Sequence, residues 1–325
     1  MRVIQATRFG GPEVLSPAGA PDPVAGPGQV VIRVAASDVL SVDLMIRTGA
    51  GAGFFPIEPP YVPGNGVAGQ VIATGDGVDP AWTGRTVAAH TGGSGGWGGY
   101  AEQAAVPAEA LIPVPGELGA REAAALLHDG VTALGLIERI GIEPGDHVLV
   151  TAAGGGMGLL LVQLAKAAGA HVIGAARGRR KLDAVEEAGA DAAIDYAEPG
   201  WAGRVRELTG GRGADLVFDG AGGRLGSVAF GVTADGGRFS AHGMSAGFPD
   251  LDKAEAERRG ITIRGMEDGP FSPADFLRLA GQAFAQAAAG TLRPVIGQTF
   301  PLDRAADAHA AMEARQTLGK SLLIS

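Results

Sequence analysis

No cysteine occurs among the 325 residues. That excludes disulfides, a thiol nucleophile and any cysteine-ligated zinc site. Aromatic residues make up only 5% of the chain, so its cores have to be built from aliphatic side chains and alanine. No run approaches the roughly 20 apolar residues that span a bilayer. Met1-Arg2-Val3-Ile4-Gln5-Ala6 is strand-like from the outset and not a secretory leader. A soluble, cytoplasmic protein is expected. Cations are short as well: 26 Lys and Arg stand against 35 Asp and Glu, a net charge of −9. Nucleic acid and anionic membrane surfaces are poor partners for such a chain.

What is abundant is glycine, with 55 residues, and apolar side chains, at 46%. The apolar content points to a folded globular chain, and the length is enough for two domains with sizeable cores. One stretch organises the rest, from His147-Val148-Leu149-Val150-Thr151 through Ala152-Ala153-Gly154-Gly155-Gly156-Met157-Gly158 into Leu159-Leu160-Leu161-Val162-Gln163-Leu164-Ala165. It reads as a buried strand, a glycine turn and a helix. The spacing Ala152-x-x-Gly155-x-x-Gly158 fits a dinucleotide-binding turn, in which small residues permit the turn, the approach of a pyrophosphate and close packing of helix on strand. The helix start then offers N–H groups and a positive dipole end to the phosphates. A second strand, His171 to Ala176, runs into Arg177-Gly178-Arg179-Arg180-Lys181. An NAD site carries an acidic residue at this place for the ribose hydroxyls; basic residues suit the 2′-phosphate of NADP. Arg177 and Lys181 are the favoured members of the cluster, one helical turn apart if the helix starts there.

Along the chain, Met1 to about Pro115 is strand-rich and reads as an irregular β-barrel. Ser41 to Arg47 reads as a short helix with Asp43 and Arg47 spaced for an ion pair. Thr91 to Gly99 is glycine-rich and reads as a mobile loop. Ala120 to Ile140 is helical with a break near Asp129-Gly130. Strands at 147–151, 171–176, 192–195, 214–218, 237–241 and 261–264 then alternate with helices, the pattern of a doubly wound parallel sheet. Ser272 reads as an N-cap with Pro273 at the first helical position, so a helix is expected over 273–289. A further helix is expected over 302–315 and a last strand over 321–324.

These stretches together resemble the zinc-independent quinone oxidoreductases, the zeta-crystallin-like branch of the medium-chain dehydrogenase/reductase superfamily. The resemblance runs the whole length. It is carried by Gly11-Pro12-Glu13-Val14-Leu15, Val42 to Gly49, Pro63-Gly64-Asn65-Gly66-Val67-Ala68-Gly69, Gly98-Gly99-Tyr100-Ala101-Glu102, the glycine turn, Asp219-Gly220-Ala221-Gly222-Gly223 and Gly319-Lys320-Ser321. It implies an α/β chain with a GroES-like irregular β-barrel catalytic domain, residues 1–121 and 268–325, and a Rossmann domain, residues 122–267. It also implies NADPH bound between them, a small-molecule substrate and a homodimer.

The zinc-dependent branch has Gly-His-Glu where this chain has Gly64-Asn65-Gly66, and a cysteine ligand that is missing here. Of the six histidines, His90, His128 and His242 are the ones conceivable near the site, but a lone histidine is more often packed than ligating, and zinc wants three or four ligands together. No metal is expected, and the chemistry then falls to the cofactor. By match to the family, Gly155, Gly156, Met157 and Gly158 hold the pyrophosphate, and Lys181 and Tyr196 line the adenosine phosphate. Thr132, Ser245 and Arg315 complete the cofactor wall. Capping or turn structure is the plainer role for Thr132 and Ser245. The family commonly has Asn at Leu40 and Tyr at Met45, so this substrate wall is more apolar than usual. His128, beside the Asp129-Gly130 break, is the best-placed proton donor, although a packed helix histidine is the commoner case. Three functions follow: reduction of a quinone or related electron-poor carbonyl, reduction of an enone or enoyl thioester, or NADPH binding with little turnover.

Overall fold

The chain opens with strands β1 (Arg2–Ala6), β2 (Leu15–Gly19) and β3 (Gln29–Asp38), of which β1 and β3 are rich in valine, isoleucine and alanine. Helix α1 (Ser41–Thr48) follows, then β4 (Gly66–Thr74), β5 (Thr86–His90), β6 (Gln103–Pro107) and β7 (Ile112–Pro113). Two helices, α2 (Ala120–Leu127) and α3 (Asp129–Ile140), meet at His128. Strand and helix then alternate: β8 (His147–Thr151), α4 (Gly156–Ala167), β9 (His171–Ala176), α5 (Arg179–Glu187), β10 (Ala192–Asp195), α6 (Trp201–Leu208), β11 (Ala214–Asp219), α7 (Gly223–Gly231), β12 (Thr233–Ala241), α8 (Lys253–Arg259) and β13 (Thr262–Gly265). The chain closes with α9 (Pro273–Ala288), β14 (Ile296–Pro301), α10 (Ala305–Glu313) and β15 (Lys320–Ile324). The computed structural model describes all residues except 52, 54, 92–97, 244, 245, 266, 267 and 270. Most of the glycine-rich segment 91–99 and all of Ser245 therefore lie outside the described residues.

The chain forms two units, Met1–Val131 with Leu277–Ser325, and Thr132–Phe276. In the first, one sheet runs in the order β14-β15-β3-β4-β5-β7 with β6 also on β3, and β1 pairs with β2 in a small sheet. Val30, Ile32, Val34, Val67, Val71 and Val87 fill its core, so β-branched side chains stand in for the missing aromatics. In the second unit all six strands are parallel, in the order β10-β9-β8-β11-β12-β13. That is the doubly wound order, with its reversal between β8 and β11. Leu149, Ile173, Val217 and Phe239 pack its core, where Phe230 meets Phe239 edge to face at 5.6 Å.

Two local expectations change. Arg47 does not pair with Asp43: it is fully buried, its guanidinium pairs with Glu313 of α10 and donates to the Gly10 carbonyl. The four-residue spacing assumed a solvent-facing pair, whereas this helix turns that face inward. The expected helix over 302–315 begins as a 3-10 turn, Leu302–Arg304, and α10 ends at Glu313. Ser272 does cap α9, accepting from the Asp275 N–H at 3.1 Å.

Candidate functional site

The glycine turn leaves β8 at the sheet's switch point, where open α/β sheets bind ligands. Ala152 bends the chain with φ +51°, Gly155 is the N-cap, and Gly156, Met157 and Gly158 are the first three residues of α4. No side chain caps this helix, so its first N–H groups face the turn. A Cβ on Gly158 would stand 2.6 Å from the Ala152 carbonyl oxygen and 2.8 Å from Ala153 Cα. Glycine is what lets helix and strand close here. A Cβ on Gly154 would meet the stem of Lys181 at 2.8 Å, so Lys181 lies across the turn.

Arg177 follows β9 and is exposed. Helix α5 starts only at Arg179, so Arg177 precedes the helix instead of sharing its face with Lys181. Tyr196 follows the neighbouring parallel strand β10; its N–H donates to the Ala176 carbonyl and its ring packs edge-on against Trp201. Strand ends and turn thus bring Arg177, Lys181 and Tyr196 to one edge of the sheet. Thr132 is half-buried on α3, and Arg315 is exposed in the first unit, just past α10. Sequence reasoning missed the Thr151–Asp219 pair at the switch point. The Thr151 hydroxyl donates to Asp219 Oδ1 at 2.7 Å, and the same oxygen accepts from the N–H groups of Ala221 and Gly222. Burial pushes the Asp219 carboxyl up despite those bonds.

In the first unit, His128 sits at the α2–α3 junction with 14% of its side chain exposed. Its Nδ1 lies 3.0 Å from Oδ2 of Asp38, at the end of β3. Lys320, opening β15, places Nζ 3.2 Å from that same oxygen and 2.8 Å from Oδ1 of Asp129. Burial pushes the Asp38 carboxyl up, but its interactions with His128 and Lys320 outweigh burial and hold it below the ordinary carboxylate range. Burial alone would lower Lys320; Asp129 and Asp38 raise it above the ordinary lysine range. Every member of this cluster except Asp38 lies in a segment already singled out in the sequence; Asp38 had no local signal beyond an acidic residue closing an apolar strand.

Gly66 makes room for the cluster. A Cβ there would stand 2.6 Å from Asp38 Oδ1 and 2.7 Å from His128 Cε1. Opposite Gly66 on β5 is His90, whose ring centroid is 5.4 Å from that of His128. Burial, then the neighbouring His128, brings His90 down to about 4. Zinc does not fit this arrangement. Asn65 and Gly66 offer no ligand pair, and among the described residues no three His, Asp or Glu side chains converge for a metal.

Leu40 and Met45, the expected substrate wall, are half-buried beside and on α1. The Leu40 N–H donates to Oδ2 of buried Asp43 at 2.8 Å, and the Tyr100 hydroxyl donates to the same oxygen at 3.2 Å. Tyr100 also meets Nε2 of His309 at 3.0 Å. Burial pushes the Asp43 carboxyl up to about 7.

The alcohol dehydrogenase GroES-like domain model matches residues 26–116, and the zinc-binding dehydrogenase model matches residues 156–275. A 2-haloacrylate reductase of a Burkholderia species is 33% identical, covering 92% of this chain and 91% of its own. A quinone oxidoreductase of Sus scrofa is 31% identical over 100% of this chain and 98% of its own. Among solved structures, an NAD-dependent alcohol dehydrogenase has a TM-score of 0.91 at 33% identity, with both chains covered to 100%. The Escherichia coli quinone oxidoreductase complexed with NADPH has a TM-score of 0.91 at 26% identity, again with 100% coverage of both. With its barrel-type sheet, its doubly wound sheet and these relatives, the chain belongs to the medium-chain dehydrogenase/reductase superfamily, among its quinone oxidoreductase-like members.

Proposed function

We propose that this oxidoreductase uses NADPH to reduce a quinone or a related electron-poor carbonyl acceptor. The observation that carries the choice of acceptor is Gly66 under Asp38 and His128. Where the zinc branch has the Glu of its Gly-His-Glu segment, Gly66 here leaves room for the buried Asp38 and its partner His128. Such a site suits acceptors that need no Lewis acid. When bound, NADPH supplies the hydride. Gly155, Gly156, Met157 and Gly158 hold its pyrophosphate, and Arg177 and Lys181 meet its 2′-phosphate beside Tyr196. Thr132, Ser245 and Arg315 remain the expected rest of the wall. Of the two structural neighbours, one is described as NAD-dependent and one holds NADPH; the basic end of β9 supports NADPH for this chain. Leu40 and Met45 present an apolar face to the acceptor, and His128 delivers a proton to it. The molecule is proposed to work as a cytoplasmic homodimer on a small-molecule substrate.

A second function, reduction of the C=C bond of an enone or enoyl thioester, is supported by the 2-haloacrylate reductase relative. Its product needs a proton on carbon, which gives His128 a task. NADPH oxidation is to be followed with quinones, enones and enoyl thioesters in parallel. Turnover of quinones alone supports the first function, and turnover of conjugated C=C acceptors the second. Tight NADPH binding with no oxidation on any acceptor overturns both and leaves a cofactor-binding protein. His128→Ala is expected to lower kcat about a hundredfold with NADPH affinity unchanged.

A further inference from the structure

We infer that Asp43 is a positioning residue that fixes the start of α1 through Leu40, and with it the apolar wall that meets the acceptor. The inference rests on the function proposed above, in which Leu40 and Met45 form that wall. Leu40 stands just before α1, where Ser, Thr, Asp or Asn commonly caps a helix, and its apolar side chain cannot accept a hydrogen bond. The cap comes instead from Asp43, at the third helical position. Its Oδ2 accepts the Leu40 N–H at 2.8 Å, closing back on the backbone where the helix begins. The same oxygen accepts the Tyr100 hydroxyl at 3.2 Å. That hydroxyl has one proton, and it goes to Asp43. Nε2 of His309, 3.0 Å from the hydroxyl, therefore donates to the Tyr100 oxygen. Burial brings His309 down to about 3, so the ring is neutral with its proton on Nε2. His309 belongs to α10, and Asp43, Tyr100 and His309 are all buried. A buried chain of hydrogen bonds thus runs from α10 to the start of α1. Gly64, with φ +91°, makes room for it, since a Cβ there would run into the Tyr100 ring.

Oδ1 of Asp43 makes no hydrogen bond among the described residues. The nearest cation along the helix, Arg47, pairs with Glu313 of α10 instead. A buried carboxylate so placed is costly, and the closed helix start favours the protonated acid. The proton sits on Oδ1, because Oδ2 already accepts from two donors. The titratable and charged groups facing Asp43 are Asp38 from β3, Tyr61 and Tyr100 from the segments before β4 and β6, His128 from the α2–α3 junction, His309 from α10, and Arg47 on α1 itself with its partner Glu313. When the start of α1 opens, Asp43 meets water and ionises at the ordinary 3.8, against about 7 when closed. The closed form is therefore favoured at low pH. It loses that advantage as pH rises from about 4 to about 7, and the loss then levels off.

The test reads amide hydrogen exchange of Leu40 by NMR in the full chain, as protection relative to the intrinsic rate at each pH. Wild-type protection is expected to fall about tenfold between pH 6 and pH 8. Asp43→Asn keeps an oxygen for the Leu40 N–H and the Tyr100 hydroxyl but cannot ionise, so its protection is expected to hold at both. Asp43→Ala removes the cap and is expected to lose about tenfold at pH 6. With NADPH, Asp43→Ala is also expected to lose about half or more of the kcat/KM preference for phenanthrenequinone over benzoquinone, with the KM for NADPH unchanged. Asp43→Asn restores that preference. A general loss of folded protein would lower both acceptors alike and leave their ratio unmoved. Leu40 protection that is flat in the wild type, or that falls equally in Asp43→Asn, overturns the inference, as does an acceptor preference untouched by Asp43→Ala. Should Asp43→Ala not fold, Tyr100→Phe takes its place, with one donor to Oδ2 removed and a severalfold loss of protection expected. If the wild type reduces no acceptor, the reductase function fails, while Leu40 exchange still decides whether Asp43 fixes α1.

Discussion

Gly66 and Asp43 show how single residues set this site. Gly66 has no side chain because Asp38 and His128 stand where its Cβ would be. Gly66→Ala is expected to force that pair apart, costing about 1–3 kcal/mol by overpacking. Thermal unfolding should show the loss, and kcat should fall more than the KM for NADPH rises. Asp43 has a different effect. Burial holds its carboxyl at about 7 in the folded chain, against an ordinary 3.8. Between those values the folded form keeps a proton that the unfolded form releases. Stability from this group therefore falls as pH rises from about 4 to about 7, then levels off. Asp43→Asn removes that slope and is expected to be more stable than wild type at pH 8 by on the order of a few kcal/mol. Urea unfolding at pH 5 and pH 8 checks it; an equal difference between the two proteins at both pH values contradicts the assignment.

At the scale of elements, α5 and α1 carry the proposed selectivity. The stem of Lys181 on α5 crosses Gly154, and Arg177 ends β9 just before the helix. If Arg177 and Lys181 each make a charge-assisted contact to a 2′-phosphate, worth about 1.5–3 kcal/mol apiece, NADPH is expected to bind about a hundredfold or more better than NADH. Arg177→Ala with Lys181→Ala is expected to weaken NADPH binding and leave NADH nearly unchanged. Titrations of both cofactors against both proteins measure it, and equal losses for the two cofactors refute it. At α1, Leu40 and Met45 replace polar side chains with apolar ones. Acceptors with large apolar faces are expected to show several-fold higher kcat/KM than benzoquinone, since one buried methylene is worth about 0.8 kcal/mol. Flat specificity across acceptor size contradicts this.

For the whole molecule, no cysteine and no converging set of His, Asp or Glu among the described residues supports a catalytic metal. Activity is expected to survive prolonged dialysis against a chelator. Stoichiometric zinc whose removal abolishes turnover would overturn the proposal of a metal-free mechanism. No helix among the described residues is long and apolar enough to cross a membrane.

The two-unit architecture was legible because its signals are local. The run His147–Thr151, the glycines after it and the alternation that follows set strand, turn and helix through backbone freedom and hydrophobic period, and all six parallel strands lie where these signals put them. The glycine turn was legible for the same reason: neighbouring residues build it. The acid–base cluster was not. His128 pairs with a residue 90 positions away, and Lys320 with one 191 positions away. Spacing on one helix even pointed Arg47 to the wrong partner, since local geometry cannot tell a solvent face from a buried one. Burial and charge pairing depend on which distant segments meet, and only the folded chain brings β3, the α2–α3 junction and β15 together around one imidazole.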